Sequence, residues 1–206
     1  MRVAEIFESI QGETTQAGRV ASFVRLAGCN LRCSYCDTPK AQTGGRRMTL
    51  HQVLGALPRE PPLVVITGGE PLLQRRSVQA LAAQLIRAGA QVILETNGSL
   101  PIAGLDRRIV RVVDWKCPGS GSCGSFLLAN LRALEPHDEV KFVISQRHDY
   151  DWASARVAEN RLAERCTVLF APAFGRLAGR RLARWMLADR SPARLQLQLH
   201  KVLDLR

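Results

Sequence analysis

No stretch of this chain approaches the ~18 consecutive apolar residues of a membrane span. The longest uncharged run, Cys117 to Leu131, is rich in glycine and serine, so a membrane protein is excluded. A secretion signal needs an apolar segment near the start, and Glu5, Glu8 and Glu13 interrupt the only candidate. The chain is therefore expected in the cytoplasm. Low-complexity tracts, internal repeats and linkers are also missing, and 46% hydrophobic with 23% charged residues is the composition of an ordinary globular protein. At 206 residues, against about 150 per domain, one domain covering 1–206 is expected. Blocks of like charge are absent too. The 29 basic residues outnumber the 18 acidic by eleven, yet they are spread along the chain, at most in pairs such as Arg46 and Arg47. Only Lys40, Lys116, Lys141 and Lys201 are lysine. Such an excess favours anionic partners, but a nucleic-acid arm usually carries a block of about five like charges, so no nucleic-acid partner is expected.

What is present is cysteine, six in all. A cytosolic compartment keeps thiols reduced, so metal binding is a better reading than disulfides. Cys117, Cys123 and Cys166 are scattered, whereas Cys29, Cys33 and Cys36 lie within eight residues. A structural zinc site wants four closed ligands, normally from two pairs, and no Cys-x2-Cys besides Cys33 and Cys36 exists here. His51 or Cys117 would have to complete such a site. An iron-sulfur cubane usually takes four thiolates, so three leave one iron open to a ligand or substrate. Cys117, Cys123 and Cys166 fall short of a second cluster and read as ordinary thiols.

Hydrophobic patterning supplies the frame. Val3 to Ser9 reads as an N-terminal strand. Core strands are expected at Val20–Leu26, Leu63–Thr67, Val92–Thr96, Ile109–Trp115, Glu139–Ile144, Thr167–Ala171 and Arg194–Leu199. Helices are expected at Leu72–Ala88, Phe126–Leu134, Asp151–Arg165 and Leu177–Ala188. Strands alternating with helices imply βαβ units and a largely parallel sheet. In such folds the sites sit on loops after the C-terminal strand ends. Those ends offer Cys29 to Thr38, Gly68 to Pro71, Glu95 to Gly98, Asp114 to Ser120, Ser145 to Asp149, and Pro172 with Phe174.

The three-cysteine loop after the first core strand, followed by Thr67-Gly68-Gly69-Glu70-Pro71 after the second, resembles the radical S-adenosylmethionine superfamily. Two glycines behind a strand are often only a turn, but behind this loop they let backbone approach the amino group of S-adenosylmethionine. A narrower resemblance covers nearly the whole chain. It runs from Glu5-Ile6-Phe7-Glu8-Ser9-Ile10-Gln11-Gly12-Glu13 through Phe23-Val24-Arg25-Leu26-Ala27-Gly28-Cys29-Asn30-Leu31-Arg32-Cys33 and Cys36-Asp37-Thr38. It continues through Glu95-Thr96-Asn97-Gly98, Lys116 with Pro118, and Lys141-Phe142-Val143-Ile144 to Gln198-Leu199-His200-Lys201. By these motifs the chain resembles the 7-carboxy-7-deazaguanine synthase family.

That resemblance implies an α/β fold, a modified partial (β/α)6 barrel of the radical S-adenosylmethionine type, acting as a homodimer. It implies a lyase that contracts the ring of 6-carboxy-5,6,7,8-tetrahydropterin to 7-carboxy-7-deazaguanine with loss of ammonia, on the way to queuosine and other 7-deazapurines. The implied cofactors are a 4Fe-4S cluster on Cys29, Cys33 and Cys36, S-adenosylmethionine, and Mg2+ at Thr38. A reductase or flavodoxin-like protein would donate the electron. Tyr35, Asp37, Gly69, Glu70, Glu95, Asp114, Lys116, Ser145 and Gln146 are implied as cofactor-binding. Ile10, Gln11, Gly12, Glu13, Arg25, Thr67, His200 and the terminal Arg206 are implied around the substrate. With the cofactor carrying the hard chemistry, no side chain is assigned a catalytic role of its own.

Read physically, Glu13 is a suitable acceptor for the guanidine-like edge of a pterin, and Arg25 offers a bidentate fork to its carboxylate. The bland alternative is that Glu13 and Arg25 pair with each other. Thr38 supplies an oxygen acceptable to Mg2+, against the alternative of an Asp-Thr turn bonding its own backbone. Tyr35 stands where many relatives carry Trp, and Thr14 where Gly is common. Rival readings are a glycyl-radical activating enzyme, which would lack the small-molecule pocket of Gln11, Glu13, Arg25 and His200, and a zinc-dependent nucleic-acid binding module.

Overall fold

Runs such as Leu63-Val64-Val65-Ile66 and Val92-Ile93-Leu94 are apolar at every position, the mark of strands covered on both faces. The computed structural model describes residues 1–58 and 61–205 and places these runs in one nine-stranded sheet. Strand β1 (Arg2–Ile10) is antiparallel to β2 (Val20–Leu26) and is flanked by the two-residue β3 (Arg46–Arg47). From β2 onward all neighbours are parallel: β4 (Leu63–Gly68), β5 (Gln91–Thr96), β6 (Val110–Asp114), β7 (Glu139–Ile144), β8 (Thr167–Pro172) and β9 (Arg194–Leu195). The order β3-β1-β2-β4-β5-β6-β7-β8-β9 leaves β3 and β9 as separate edges, an open sheet consistent with a partial barrel.

Because side chains alternate between faces, each strand contributes to two different environments. One face, with Val24, Ile66, Leu94, Val113, Phe142 and Phe170, packs into the large core under the helices. The other carries a smaller core of Phe23, Leu63, Val65, Ile93 and Val112, against which Phe7 packs. Two residues further along the same strands this second face turns polar. Phe23 is followed by Arg25, Val65 by Thr67, Ile93 by Glu95 and Val112 by Asp114. Registers Arg25↔Thr67 and Asp114↔Lys141 set these polar residues side by side near the C-terminal strand ends.

The crossovers depart from strict alternation. Helix α1 (Leu50–Gly55) follows β3, α2 (Arg75–Arg87) joins β4 to β5, α3 (Arg147–Glu159) joins β7 to β8, and α4 (Gly179–Ala188) leads to β9. The connections β5–β6 and β6–β7 contain no α-helix. The helix expected at Phe126–Leu134 is a 3-10 segment, Leu128–Ala133, and Phe126 stacks on Trp115 at 4.0 Å to cover the sheet there.

Three further expectations shift. The helix expected from Leu72 opens as a 3-10 turn, Pro71–Gln74, because the Glu70 carboxylate accepts the Leu72 N–H, and α2 proper begins at Arg75. The helix expected at Asp151–Arg165 lies at Arg147–Glu159, since Asp149 accepts the backbone N–H of Ser145 and anchors the first turn. It stops at Asn160, before Arg161 in the left-handed region (φ 49°). The closing strand expected at Arg194–Leu199 ends at Leu195. Gln196 makes one more bond to Phe170 O, and the chain then leaves the sheet to form the single helical turn α5 (Leu199–Val202). His200 therefore sits on a helix. Helix α1 was not anticipated, although Thr49 and Gln52 form a reciprocal capping box. Among the described residues no helix is long and apolar enough to cross a membrane.

One buried ion pair fixes where β6 and β7 start. The Arg111 guanidinium donates to both Asp138 oxygens (3.0 and 2.5 Å), with side chains 4% and 0% exposed. Asp138 also accepts the backbone N–H groups of Arg111 and Glu135. Removing one member of such a pair leaves an uncompensated buried charge. Arg111→Met is expected to lower unfolding stability by about 3–5 kcal/mol in denaturant titrations. A loss below about 1 kcal/mol would mean that Asp138 is solvated by another route.

Candidate active site

The polar ends of the strands surround one cavity of about 640 Å3. Lys141, central on β7, is the hub of its ionic groups. Its ammonium donates to Glu13 Oε2 at 2.6 Å and lies 3.7 Å from Asp114 Oδ2, while Lys116 donates to the same Asp114 oxygen at 2.9 Å. Burial alone would push the Lys141 ammonium down, but the carboxylates of Glu13, Asp114 and Glu95 hold it well above its ordinary value. Burial would likewise raise Glu13. The Lys141 charge and hydrogen bond, with that of Gln198, keep its carboxyl below the ordinary range. Glu95 is pushed up by burial; it accepts from Thr67 Oγ1 at 2.9 Å and from Gln11 Nε2 at 3.4 Å.

The floor comes from an unexpected direction. Residues 11–19 connect the end of β1 to the start of β2, at the opposite end of the sheet from the cysteine loop, yet they rise into the interior to meet Lys141 and Glu95. Gly12 O accepts the Leu199 N–H at 2.9 Å, and Gln198 donates to Glu13 Oε1 at 2.6 Å. Glycine is required at 12 because a Cβ there would lie 2.0 Å from His200 Nδ1 and 2.8 Å from the His200 backbone nitrogen. Burial pushes the His200 imidazole down, favouring the neutral ring.

The alternative pairing of Glu13 with Arg25 does not occur. Arg25 Nε donates to Glu5 Oε1 at 2.7 Å, its partner in the β1–β2 register, and Glu13 belongs to Lys141. Glu5 was missed in the sequence, although hairpin pairing would have placed it opposite Arg25. Lys141 and Gln198 entered only as matching motif residues. A lysine inside the apolar run Val140-Lys141-Phe142 was the available signal.

Cys29, Cys33 and Cys36 are free, half-buried, and line this cavity. Their loop is held by Gly69, where a Cβ would lie 2.3 Å from Gly28 O and 2.7 Å from Cys29 Cβ. Protein packing therefore demands that glycine independently of any ligand. Burial pushes the Cys29 thiol up, so a positive metal centre is needed to hold it as thiolate. Among the described residues no group of three or more His, Cys, Asp or Glu is set to hold a metal ion. His51 is exposed on α1, and Cys117 is fully buried in the large core, so neither joins the three thiols in a four-ligand zinc site. Three soft thiols lining one cavity, too spread to close on a single ion, fit an iron-sulfur cluster, whose metal is spread over several atoms. Cys166 is buried and its thiol pushed up to about 11, and Cys123 is exposed.

Of the other residues singled out, Ile10, Gln11, Gly12, Glu13, Arg25, Tyr35, Asp37, Thr38, Thr67, Gly69, Glu95, Asp114, Lys116 and His200 line the cavity. Glu70, Ser145 and Gln146 are not in its walls. Glu70 is wholly buried, accepting from Leu72 N, Thr96 Oγ1 and Asn97 N; Ser145 bonds Asp149, and Gln146 is exposed before α3. Arg206 lies outside the described residues. Thr38 Oγ1 donates to Asp37 Oδ1 at 3.2 Å rather than to its own backbone. Burial would raise Asp37, but the hydrogen bond and charge of Lys201 bring it down to about 2.

Comparison with known proteins gives a consistent set. The Radical SAM superfamily model matches residues 24–113. A 7-carboxy-7-deazaguanine synthase of Koribacter versatilis is 42% identical across 98% of this chain and 96% of its own length. Proteins of the same name from Methanospirillum hungatei and Chlorobaculum tepidum are 44% and 43% identical, over 100% and 98% of this chain and 86% and 94% of theirs. The crystal structure of QueE from Escherichia coli superposes with a TM-score of 0.76 at 21% identity, covering 96% of this chain and 93% of that one, which establishes the fold.

The division of the cysteines is directly testable. After anaerobic iron-sulfur reconstitution, Cys29→Ala, Cys33→Ala and Cys36→Ala are each expected to lose bound iron and the associated visible absorbance. Cys123→Ala and Cys166→Ala should keep wild-type iron content. Equal iron loss in the Cys123 and Cys33 variants would overturn the assignment.

Proposed function

The chain belongs to the radical S-adenosylmethionine superfamily and, within it, to the 7-carboxy-7-deazaguanine synthase family, and from that premise we propose that it converts 6-carboxy-5,6,7,8-tetrahydropterin to 7-carboxy-7-deazaguanine with release of ammonia. The observation that carries the reading is a single cavity whose lining brings together the three thiols, a buried carboxylate, Glu13, and the Arg25 fork. Membership implies a 4Fe-4S cluster and S-adenosylmethionine, which when bound supply the radical chemistry at C6 of the substrate.

The chain's own residues bind, orient and exclude water. Glu13 is held ionised by Lys141, and each of its oxygens, already accepting one bond, has a further lone pair for the donor edge of a pterin. Arg25 is steered by Glu5 through Nε, which leaves its terminal nitrogens for the substrate carboxylate. Glu95, raised by burial beside Thr67 and Gln11, can hold a proton near the reacting ring. The pterin, the Mg2+ at Thr38, a reductase or flavodoxin-like electron donor, a homodimer, a cytoplasmic setting and a single unit over 1–206 all belong to this proposal. So do the cofactor contacts of Tyr35, Asp37, Gly69, Asp114 and Lys116. Glu70, Ser145 and Gln146 would act from outside the cavity wall.

The test is anaerobic turnover with reconstituted protein, S-adenosylmethionine, Mg2+ and reductant. Consumption of the carboxy-tetrahydropterin with equimolar ammonia is expected; cleavage of S-adenosylmethionine with the pterin intact would sink the reading. In the same assay Thr38→Ala should weaken the dependence on Mg2+ while iron content stays at wild type. An unchanged Mg2+ response would return Thr38 to a turn residue.

A further inference from the structure

Two parts of the cavity that are remote in sequence are joined through one side chain. Residues 197–205 leave the sheet after Gln196 and form a strap that contributes Gln198, His200, Lys201 and Leu205 to the cavity lining. At one end the strap is fastened to the floor, through Leu199 N to Gly12 O (2.9 Å), Gln198 Nε2 to Glu13 Oε1 (2.6 Å), and His200 seated where Gly12 lacks a Cβ. The next residue, Lys201, turns the other way. Its ammonium donates to Asp37 Oδ2 at 2.8 Å and lies 5.3 Å from the Phe174 ring centre. Asp37 directly follows Cys36, so the strap's far fastening is the cysteine loop itself.

We propose that Lys201 is a positioning residue that couples occupation of the pterin end of the cavity to closure of the cysteine loop. This inference rests on the proposed function for the identity of the occupant. A ligand that engages Glu13 and packs beneath His200 fixes the strap. With the strap fixed, Lys201 is held over Asp37 and the loop that carries the thiols is ordered. An ion pair with Asp37 48% exposed contributes little by itself. Its effect here comes from geometry, because the salt bridge closes a mechanical link between floor and loop, and a coupling of this kind is expected to change populations by about fivefold. A second clamp acts independently: Arg176 donates to Ser34 O at 2.6 Å and to Ser34 Oγ at 3.1 Å. Removing Lys201 therefore loosens the Asp37 side of the loop without releasing the whole of it.

The test begins on cofactor-free protein, by hydrogen exchange followed peptide by peptide. Lys201→Met should raise exchange in residues 35–42 about fivefold, Lys201→Arg should restore protection, and strands β4 to β7 should stay unchanged. Gly12→Ala, which forces the strap off the floor while keeping Lys201, should loosen the same segment. On reconstituted enzyme supplied with the carboxy-tetrahydropterin, Lys201→Met should release about fivefold more 5′-deoxyadenosine per product formed than wild type. Unchanged exchange at 35–42 in both the Lys201 and Gly12 variants would overturn the coupling. Wild-type enzyme that leaves the pterin unconsumed would instead remove the proposed substrate, with the exchange result standing on its own.

Discussion

A lysine ammonium in the middle of a barrel strand has to be compensated, and the way this is done at Lys141 organises the whole interior. Burial penalises its charge, and only carboxylates brought to it make the arrangement tolerable. Asp114 is supplied by the neighbouring strand through register. Glu13 is not; it arrives on the β1–β2 connection, which has to leave the far end of the sheet and climb inward. Once that loop is inside, Gln11 lies beside Glu95, Gly12 offers its carbonyl to the strap, and the cavity has a floor. The pair thus shapes the site first and any ligand afterwards.

The climb has a conformational cost. Thr14 stands in the left-handed region at φ 68°, where a β-branched residue is strained by about 1–2 kcal/mol and glycine is not. Its conformation is dictated from both sides. Glu13 is tied to Lys141, and Thr15 donates its backbone N–H to Glu139 Oε1 at 3.0 Å. The Thr14 hydroxyl recovers part of the cost by accepting the Gln16 N–H at 3.0 Å. This accounts physically for a position where a glycine would fit and a threonine is found.

Much of the frame was legible because it is local. Strands with apolar runs were found nearly to the residue, β2 and β7 with both bounds as expected. Helix α1 is not legible in hydrophobic periodicity because a six-residue helix has too few turns to show it, even with a Thr49–Gln52 capping box. The start of α3 moved because Asp149, in its first turn, bonds the backbone of Ser145, a preference invisible to periodicity. The closing strand was overextended because alternating Leu195, Leu197 and Leu199 imitate a β pattern. Leu195 and Leu197 are in fact 41% and 40% exposed, and competition from the Gly12 carbonyl draws the chain off the sheet.

What the amino-acid order determined by itself is the donor set and the punctuation. Cys29, Cys33 and Cys36 lie within eight residues, so their convergence on one loop follows from chain connectivity, and the glycines mark where backbone approaches backbone. What only the tertiary structure decided is which charge meets which. Lys141 finds Glu13 across 128 residues and Lys201 finds Asp37 across 164. Arg25 takes Glu5 although Glu13 was chemically as suitable. The reason is that an ion pair is selected by distance, which depends on sheet register and on the path of the loops, while the residue types along the chain carry charge without direction.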